Sequence, residues 1–286
     1  MFGQVDVVVR DLVSDYLAFE RAAAGCDASE RPRLWSELYE SRHPDVFRRY
    51  RLMGEPEDVN DALLRLANES ADFGPRARSF ARAVRELGPQ VARLLEAEVH
   101  EFPLVTMVGL YRGDCWVDDL DGVPTVFFAV EQARDSPWEE TSAVHEATHL
   151  MHAHVQTERW DDDVIGLRML MEGIAITVTH ALLPGHPEWT HFNFEPKEVA
   201  PWITACEEAL PAATPRLREL LWSTDEAETA RYFYPDWWRA ERDVPEKLGY
   251  YAGTKVVERF AHERSLADLA RLPPSDALAL AATALS

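Results

Sequence analysis

The hydrophobic pattern of the chain changes character about one third of the way along it. Before residue 100, apolar residues recur at spacings of three and four, which predicts helices, and Gly or Pro residues mark the connections. The predicted helices cover residues 11–24, 30–50, 57–68 and 75–99. This part contains only two histidines, His43 and His100, so no metal site is predicted in it.

After Phe102 the pattern becomes that of strands and then of long helices. Residues 104–108 and 125–130 are short apolar runs rich in β-branched and aromatic residues, which predicts two strands. Helical spacing follows at residues 138–159, 164–183, 196–210, 215–222, 250–262, 265–272 and 275–285. The sequence therefore predicts a predominantly helical α+β fold. We expect a helical N-terminal region (1–100), a core with a small sheet (101–183) and a helical C-terminal region (184–286).

The first long helix of the core carries an H-E-x-x-H motif, His145-Glu146-Ala147-Thr148-His149. Histidines four residues apart on a helix lie on one face, so both imidazoles can bind one ion. The adjacent Glu146 can then take a proton from a water molecule at the ion. A chance match in a chain of this composition has odds of roughly one in thirty, so the motif needs support from a third ligand.

Glu172 in the next helix is the candidate third ligand. It is the only acidic residue in the apolar run 164–183, where an unpaired carboxylate would be costly. Gly173 and Ala175 remove bulk beside it, which predicts a close approach of this helix to the motif helix. We therefore expect His145, His149 and Glu172 to bind one Zn²⁺, with water as the fourth ligand.

Other histidines fit this site less well. The metzincin pattern requires Gly at position 152 and His at position 155, where the chain has His152 and Val155. His152, three residues after His149, could face the cleft, but the favoured interpretation is that it lies behind the ligands or on the surface. His180 is eight residues beyond Glu172, about 12 Å along a helix, which is too far to share the ion.

These motifs resemble the gluzincin group of zinc metallopeptidases. They resemble more closely a poorly characterised bacterial family of predicted zinc-dependent proteases, which combines H-E-x-x-H, E-G-x-A and G-Y-x-x-G. The last two are Glu172-Gly173-Ile174-Ala175 and Gly249-Tyr250-Tyr251-Ala252-Gly253 here. The resemblance is strongest over residues 103–275 and weak before them. The chain departs from thermolysin-like sites at Ile176, where those sites have an acid that orients a zinc histidine.

The resemblance implies a zincin-like metallopeptidase fold and hydrolysis of a peptide bond by a zinc-bound water that Glu146 activates. Tyr250 occupies the family's tyrosine position, which implies a role at the oxyanion; a packed structural tyrosine is the alternative. The resemblance also implies an edge strand that pairs with the substrate, with residues 126–130 as the candidate and an internal strand as the alternative. A non-catalytic zincin-fold binding or regulatory protein is the alternative to an enzyme, and the presence of Glu146 favours the enzyme.

The amino-acid composition limits the classes of molecule that the protein is expected to bind. A formal charge of −21 argues against nucleic acid or an anionic membrane, so a peptide or protein substrate is expected. Three widely spaced cysteines, no basic leader and no segment of membrane-spanning length favour the cytoplasm. Trp237 and Trp238 are expected to close the core or line a pocket. The pattern leaves the oligomeric state open.

Overall fold

A computed structural model describes residues 5–53, 58–134, 136–236 and 243–286 of the chain. Trp237 and Trp238 lie outside the described residues. The described residues are mostly helical and contain one four-stranded sheet, which confirms the predicted α+β class. The chain folds into two compact units. Unit 1 comprises Gly3–Pro89 and Val99–Leu150, and unit 2 comprises Gln90–Glu98 and Met151–Ser286. The three-part division expected from the sequence remains a prediction.

The sheet lies in unit 1 and has the strand order β1-β2-β4-β3. Its strands are β1 (Asp6–Asp11), β2 (Glu101–Met107), β3 (Cys115–Leu120) and β4 (Val123–Ala129). β2 pairs in parallel with β1 on one side and with β4 on the other, whereas β3 and β4 form an antiparallel hairpin. The sheet is therefore mixed, with β4 inside it and β3 at one edge.

Two of these strands were absent from the sequence-based prediction. β1 contains three consecutive valines, Val7 to Val9, whose β-branched side chains favour a strand, although the flanking region has helical spacing. β3 is the short sequence Cys-Trp-Val-Asp-Asp-Leu, in which every residue is half-buried. Its Asp118 and Asp119 weaken the strand pattern, and only the pairing with β4 makes it a strand.

Unit 1 also contains the N-terminal helices. They are α1 (Val13–Ala23), α2 (Arg31–Leu38), α3 (Pro44–Tyr50), α4 (Val59–Glu69) and most of α5 (Phe73–Leu94). The continuous helix predicted over residues 30–50 is wrong, because a short 3₁₀ turn at Glu40–Arg42 separates α2 from α3. Pro44 begins α3, a position where its missing N–H costs nothing.

Aromatic side chains form much of the core of unit 1. Tyr16, Trp35 and Tyr39 contact one another edge to face, with ring centroids 4.8 to 5.9 Å apart. Elsewhere in this unit, Phe128 of β4 stacks on Phe80 of α5 with centroids 4.0 Å apart. Aromatic contacts of this kind add to the stability that burial alone provides.

The motif helix α6 (Ser136–Val155) follows β4 after a short 3₁₀ turn at Val130–Gln132. The remaining helices are α7 (Ile165–Leu182), α8 (Glu188–His191), α9 (Val199–Leu220), α10 (Glu226–Phe233), α11 (Leu248–Ala261), α12 (Leu266–Ala270) and α13 (Pro274–Ala284). Two helices were predicted on either side of residue 212, but α9 is one helix that contains Pro211 and Pro215. A proline removes one backbone hydrogen bond and can bend a helix without ending it.

Helix α7 is the centre of unit 2 and is apolar over most of its length. Among the described helices it is long and apolar enough to cross a membrane, with a mean hydropathy of 1.3. This corrects the expectation that no segment reaches that length. In the structure 61% of this window is buried inside the protein, which is the position of a core helix.

Candidate metal centre

Helix α6 places two imidazole rings side by side. His145 and His149 are one turn apart, their Nε2 atoms are 3.0 Å apart, and their ring centroids are 4.7 Å apart. Both residues are half-buried, whereas their neighbours Val144, Ala147 and Thr148 are fully buried. Burial of the opposite face therefore holds the helix in a rotation that leaves both rings accessible.

Glu172 lies in the middle of α7, next to a point where two helix backbones touch. A Cβ atom at Gly173 would lie 2.3 Å from the carbonyl carbon of Gly253 in α11, and one at Gly253 would lie 1.9 Å from the carbonyl oxygen of Met169. The two glycines therefore let α7 and α11 pack backbone against backbone. The expectation that Gly173 admits the motif helix was wrong, since the space beside it is filled by α11.

The structure brings His145, His149 and Glu172 together. One donor atom from each side chain lies within 4.8 Å of the other two, and all three residues are half-buried. Tetrahedral zinc ligands lie roughly 3.4 Å apart, close to the 3.0 Å between the two Nε2 atoms. Two nitrogens and one carboxylate oxygen are donors that zinc accepts in sites with an open position. The donor set therefore fits the expected ion.

Glu146 is buried, with 7% of its surface exposed. Burial first, and then the charge of Glu146, raise the pKa of the Cys115 thiol well above its usual value. Cys115 is the first residue of β3 and faces Phe128 across the hairpin. Phe128 in turn contacts Trp138 of α6, so the Cys115 side of the hairpin faces the motif helix.

The predicted edge strand was wrong. Residues 126–129 lie in β4, between β2 and β3, so the internal-strand alternative holds. The edge strand next to β4 is β3, which was absent from the sequence-based prediction. The sequence contains two signals for this strand. The turn Asp121-Gly122 follows it directly, and it contains Trp116 and Val117, which are both common in strands.

The profile of one protein family, described as "Predicted Zn-dependent protease (DUF2268)", matches residues 121–279, more than half of the chain. The chain belongs to this family of predicted Zn-dependent proteases. The comparison with curated proteins and the comparison with solved structures found no match. The region shared with the family begins after β3 and contains α6, α7 and α11.

The G-Y-x-x-G motif of this family member has a packing role that the sequence did not reveal. Gly253 is the residue of α11 that contacts α7, and Gly249 leaves room for the ring of Phe233, which would lie 2.5 Å from a Cβ there. Tyr250 is half-buried, and its ring centroid is 6.0 Å from that of Phe233. The motif therefore fixes α11 against both α7 and α10 while carrying Tyr250.

Tyr251 points in a different direction from Tyr250. It is buried, contacts the ring of Trp202 edge to face, and its hydroxyl donates to Glu207 at 3.4 Å. Burial, followed by the charge of Glu207, raises the pKa of Tyr251 to about 12. Tyr251 thus belongs to the packing between α11 and α9, as expected from the 100° step between neighbouring helix residues.

Two further histidines of the family region lie in other environments. His152 is fully buried, with its ring centroid 4.6 Å from that of Trp160, so it is not a surface histidine. His180 lies at the end of α7, where its Nε2 is 3.2 Å from a carboxylate oxygen of Glu188. The metal group formed by His145, His149 and Glu172 contains neither of them.

Proposed function

We propose that this protein is a gluzincin-like zinc metallopeptidase with a zincin-like fold, in which His145, His149 and Glu172 hold one Zn²⁺. The observation that carries the proposal is the convergence of these three donors in a family of predicted Zn-dependent proteases. Each donor suits zinc, and three protein ligands leave a position for water and substrate. When bound, zinc supplies Lewis acidity that polarises a carbonyl group and acidifies water.

Glu146 acts as the general base and general acid. It follows the first histidine directly, and its burial supports a role inside the protein rather than in solvent. It takes a proton from the attacking water and passes it to the amine that leaves when the C–N bond breaks. A binding protein that retained the metal site would have no use for this carboxylate, which favours the enzyme over the non-catalytic alternative.

Tyr250 donates a hydrogen bond to the developing oxyanion. Its support is the G-Y-x-x-G position and its place on α11, three residues before the contact of Gly253 with α7. Because α7 carries Glu172 beside the same contact, the position of the phenol is tied to that of the third ligand. A single pre-positioned donor of this kind contributes about a hundredfold to the rate.

The substrate binds as an extended peptide along the edge of β3. The N–H and C=O groups on the outer side of an edge strand can pair with an added strand, and the first residue of β3 lies on the side of the hairpin that faces α6. A peptide or protein substrate and a cytoplasmic location agree with the charge of −21 and the scattered cysteines. The same charge disfavours nucleic acid and anionic membranes as partners.

Two variants test the metal site and the base separately. Glu146→Gln should retain about one zinc per chain while kcat falls by about 10³. Glu172→Ala should lose zinc, and the exposed Glu208→Ala is its matched control. Zinc is measured by elemental analysis, and kcat on the best substrate from a peptide library with and without chelator.

The outcomes separate the alternatives. Full activity of Glu146→Gln would mean that Glu146 is not the general base. Full zinc content of Glu172→Ala would mean that another residue is the third ligand. A wild-type protein that binds zinc but cleaves no library peptide would be the non-catalytic binding protein.

A further inference from the structure

Residues 108–112 form most of the connection between β2 and β3, and they are held by three side chains that are distant from one another in the sequence. We call these residues the approach segment. Each of its five backbone N–H groups donates to a buried side-chain oxygen. The bonds are Val108 to Tyr39 Oη (2.9 Å), Gly109 to both oxygens of Glu131 (3.0 Å each), Leu110 to Tyr50 Oη (2.6 Å), Tyr111 to Glu131 Oε1 (3.2 Å) and Arg112 to Tyr50 Oη (3.2 Å).

These bonds replace a β-ladder. Backbone groups that are buried outside helices and strands need other partners, and here side chains accept from all five N–H groups. The fit is close: a Cβ at Gly109 would lie 2.6 Å from Tyr50 Oη and 2.9 Å from Glu131 Oε1. Tyr111 has a φ of 61°, a left-handed conformation that the surrounding bonds stabilise. The approach segment is therefore fixed in one irregular conformation.

The approach segment leads directly to the edge strand. Only Gly113 and Asp114 separate it from Cys115, and the carbonyl of Asp114 accepts a hydrogen bond from Ala129 of β4 at 2.8 Å. Cys115 pairs with Phe128 across the hairpin, and the ring of Phe128 contacts Trp138 of α6, the helix that carries Glu146. A displacement of the approach segment would thus move the start of β3 relative to Glu146.

We propose that Tyr39, Tyr50 and Glu131 are positioning residues that set the distance between β3 and Glu146, and so the placement of the substrate backbone. This inference rests on the proposed function. None of the three side chains touches substrate; they act through the approach segment. Tyr39 and Tyr50 precede the family match, whereas Glu131 lies within it.

The burial of Glu131 agrees with a role that needs its oxygens. Only 5% of its surface is exposed, and burial raises the pKa of its carboxyl group to about 7 against the opposing effect of its N–H donors. An apolar side chain at this position would leave the N–H groups of Gly109 and Tyr111 without acceptors, which is costly in a buried region. The carboxyl oxygens are therefore required to hold the approach segment.

The experiment compares Tyr50→Phe with Tyr16→Phe. Both tyrosines are buried and both lose one hydroxyl, but the Tyr16 hydroxyl donates to Glu20 and touches no atom of the approach segment in any described bond. In the zinc-loaded protein, Tyr50→Phe should raise KM for the best library peptide about tenfold with kcat within about twofold. Tyr16→Phe should leave both within about twofold.

Hydrogen exchange gives a readout that needs neither zinc nor turnover. The comparison is made under conditions in which the two variants have equal thermal stability. The amides of Leu110, Arg112 and β3 should then exchange about tenfold faster in Tyr50→Phe than in Tyr16→Phe. Equal KM or equal exchange in the two variants would overturn the inference and leave the proposed function intact. Absence of peptide hydrolysis by the wild-type protein would overturn both.

Discussion

The two units hold their functional segments in opposite ways. In unit 1, the approach segment to β3 is held by hydroxyl and carboxylate oxygens of Tyr39, Tyr50 and Glu131. In unit 2, the helix that carries Glu172 is held by the absence of side chains, since Gly173 and Gly253 let α7 and α11 touch. One arrangement is built from directional polar bonds and the other from shape alone.

This difference determines how each arrangement fails. We call the hydrogen bonds from the approach segment to Tyr39, Tyr50 and Glu131 the polar clamp. Removal of one of these bonds should cost roughly 1 kcal/mol of stability, and the stability of the clamp depends on pH if one of its side chains titrates. A backbone contact has no flexible side chain that can move aside, so a single added methyl group must separate the helices. Loss of single hydrogen bonds should therefore loosen the approach segment of unit 1 by small steps. A single added methyl group at the helix contact should destabilise unit 2 strongly.

The largest effect is expected at the helix crossing. Gly253→Ala should lower the stability of the protein by about 3 kcal/mol, because the new Cβ would lie 1.9 Å from the carbonyl oxygen of Met169. Thermal unfolding monitored by circular dichroism measures the effect. Gly185→Ala is the control, since a Cβ at Gly185 meets no atom within 4 Å. Equal melting temperatures for the two variants would show that the contact between α7 and α11 tolerates an added methyl group.

The second-largest effect is expected at Tyr250, whose phenol lies on α11 near the helix crossing. Tyr250→Phe should lower kcat by about a hundredfold with normal zinc content, because the oxyanion loses one donor. Tyr251→Phe removes a hydroxyl that bonds Glu207 and should change kcat less than about twofold. If steady-state kinetics on a library peptide give the same kcat for Tyr250→Phe and the wild type, Tyr250 is a packing residue only.

The smallest effect is expected from the titration of the polar clamp. The pKa of Glu131 is raised by burial from 4.5 to about 7, so the native state binds its proton more tightly than the unfolded state. Its contribution to stability is full below pH 4.5 and is lost as the pH rises through 7. Wild type should therefore lose a few degrees of melting temperature relative to Glu131→Gln between about pH 5 and 8.

Thermal scans of both proteins across this range measure the difference, in which the titrations of all other groups cancel. A constant difference between the two melting temperatures would mean that Glu131 remains charged throughout. The polar clamp would then be insensitive to pH, and the contrast between the two units would be weaker.

The sequence by itself determined the local elements and the chemistry of the candidate ligands. The periods of α6 and α7 predicted helices within a few residues of their observed ends, because helical spacing is a local property. The H-E-x-x-H spacing and the lone acid of an apolar helix were enough to nominate His145, His149 and Glu172, whose donors the structure brings together.

Only the tertiary structure decided what these elements pack against. That β4 is internal and β3 is the edge depends on strand pairing between distant segments, which no local pattern encodes. The partner of Gly173 is a glycine 80 positions later, and the carboxylate that holds Gly109 is 22 positions later. Periodicity identifies the buried face of an element, but the neighbour that covers this face is selected by the free energy of the whole fold.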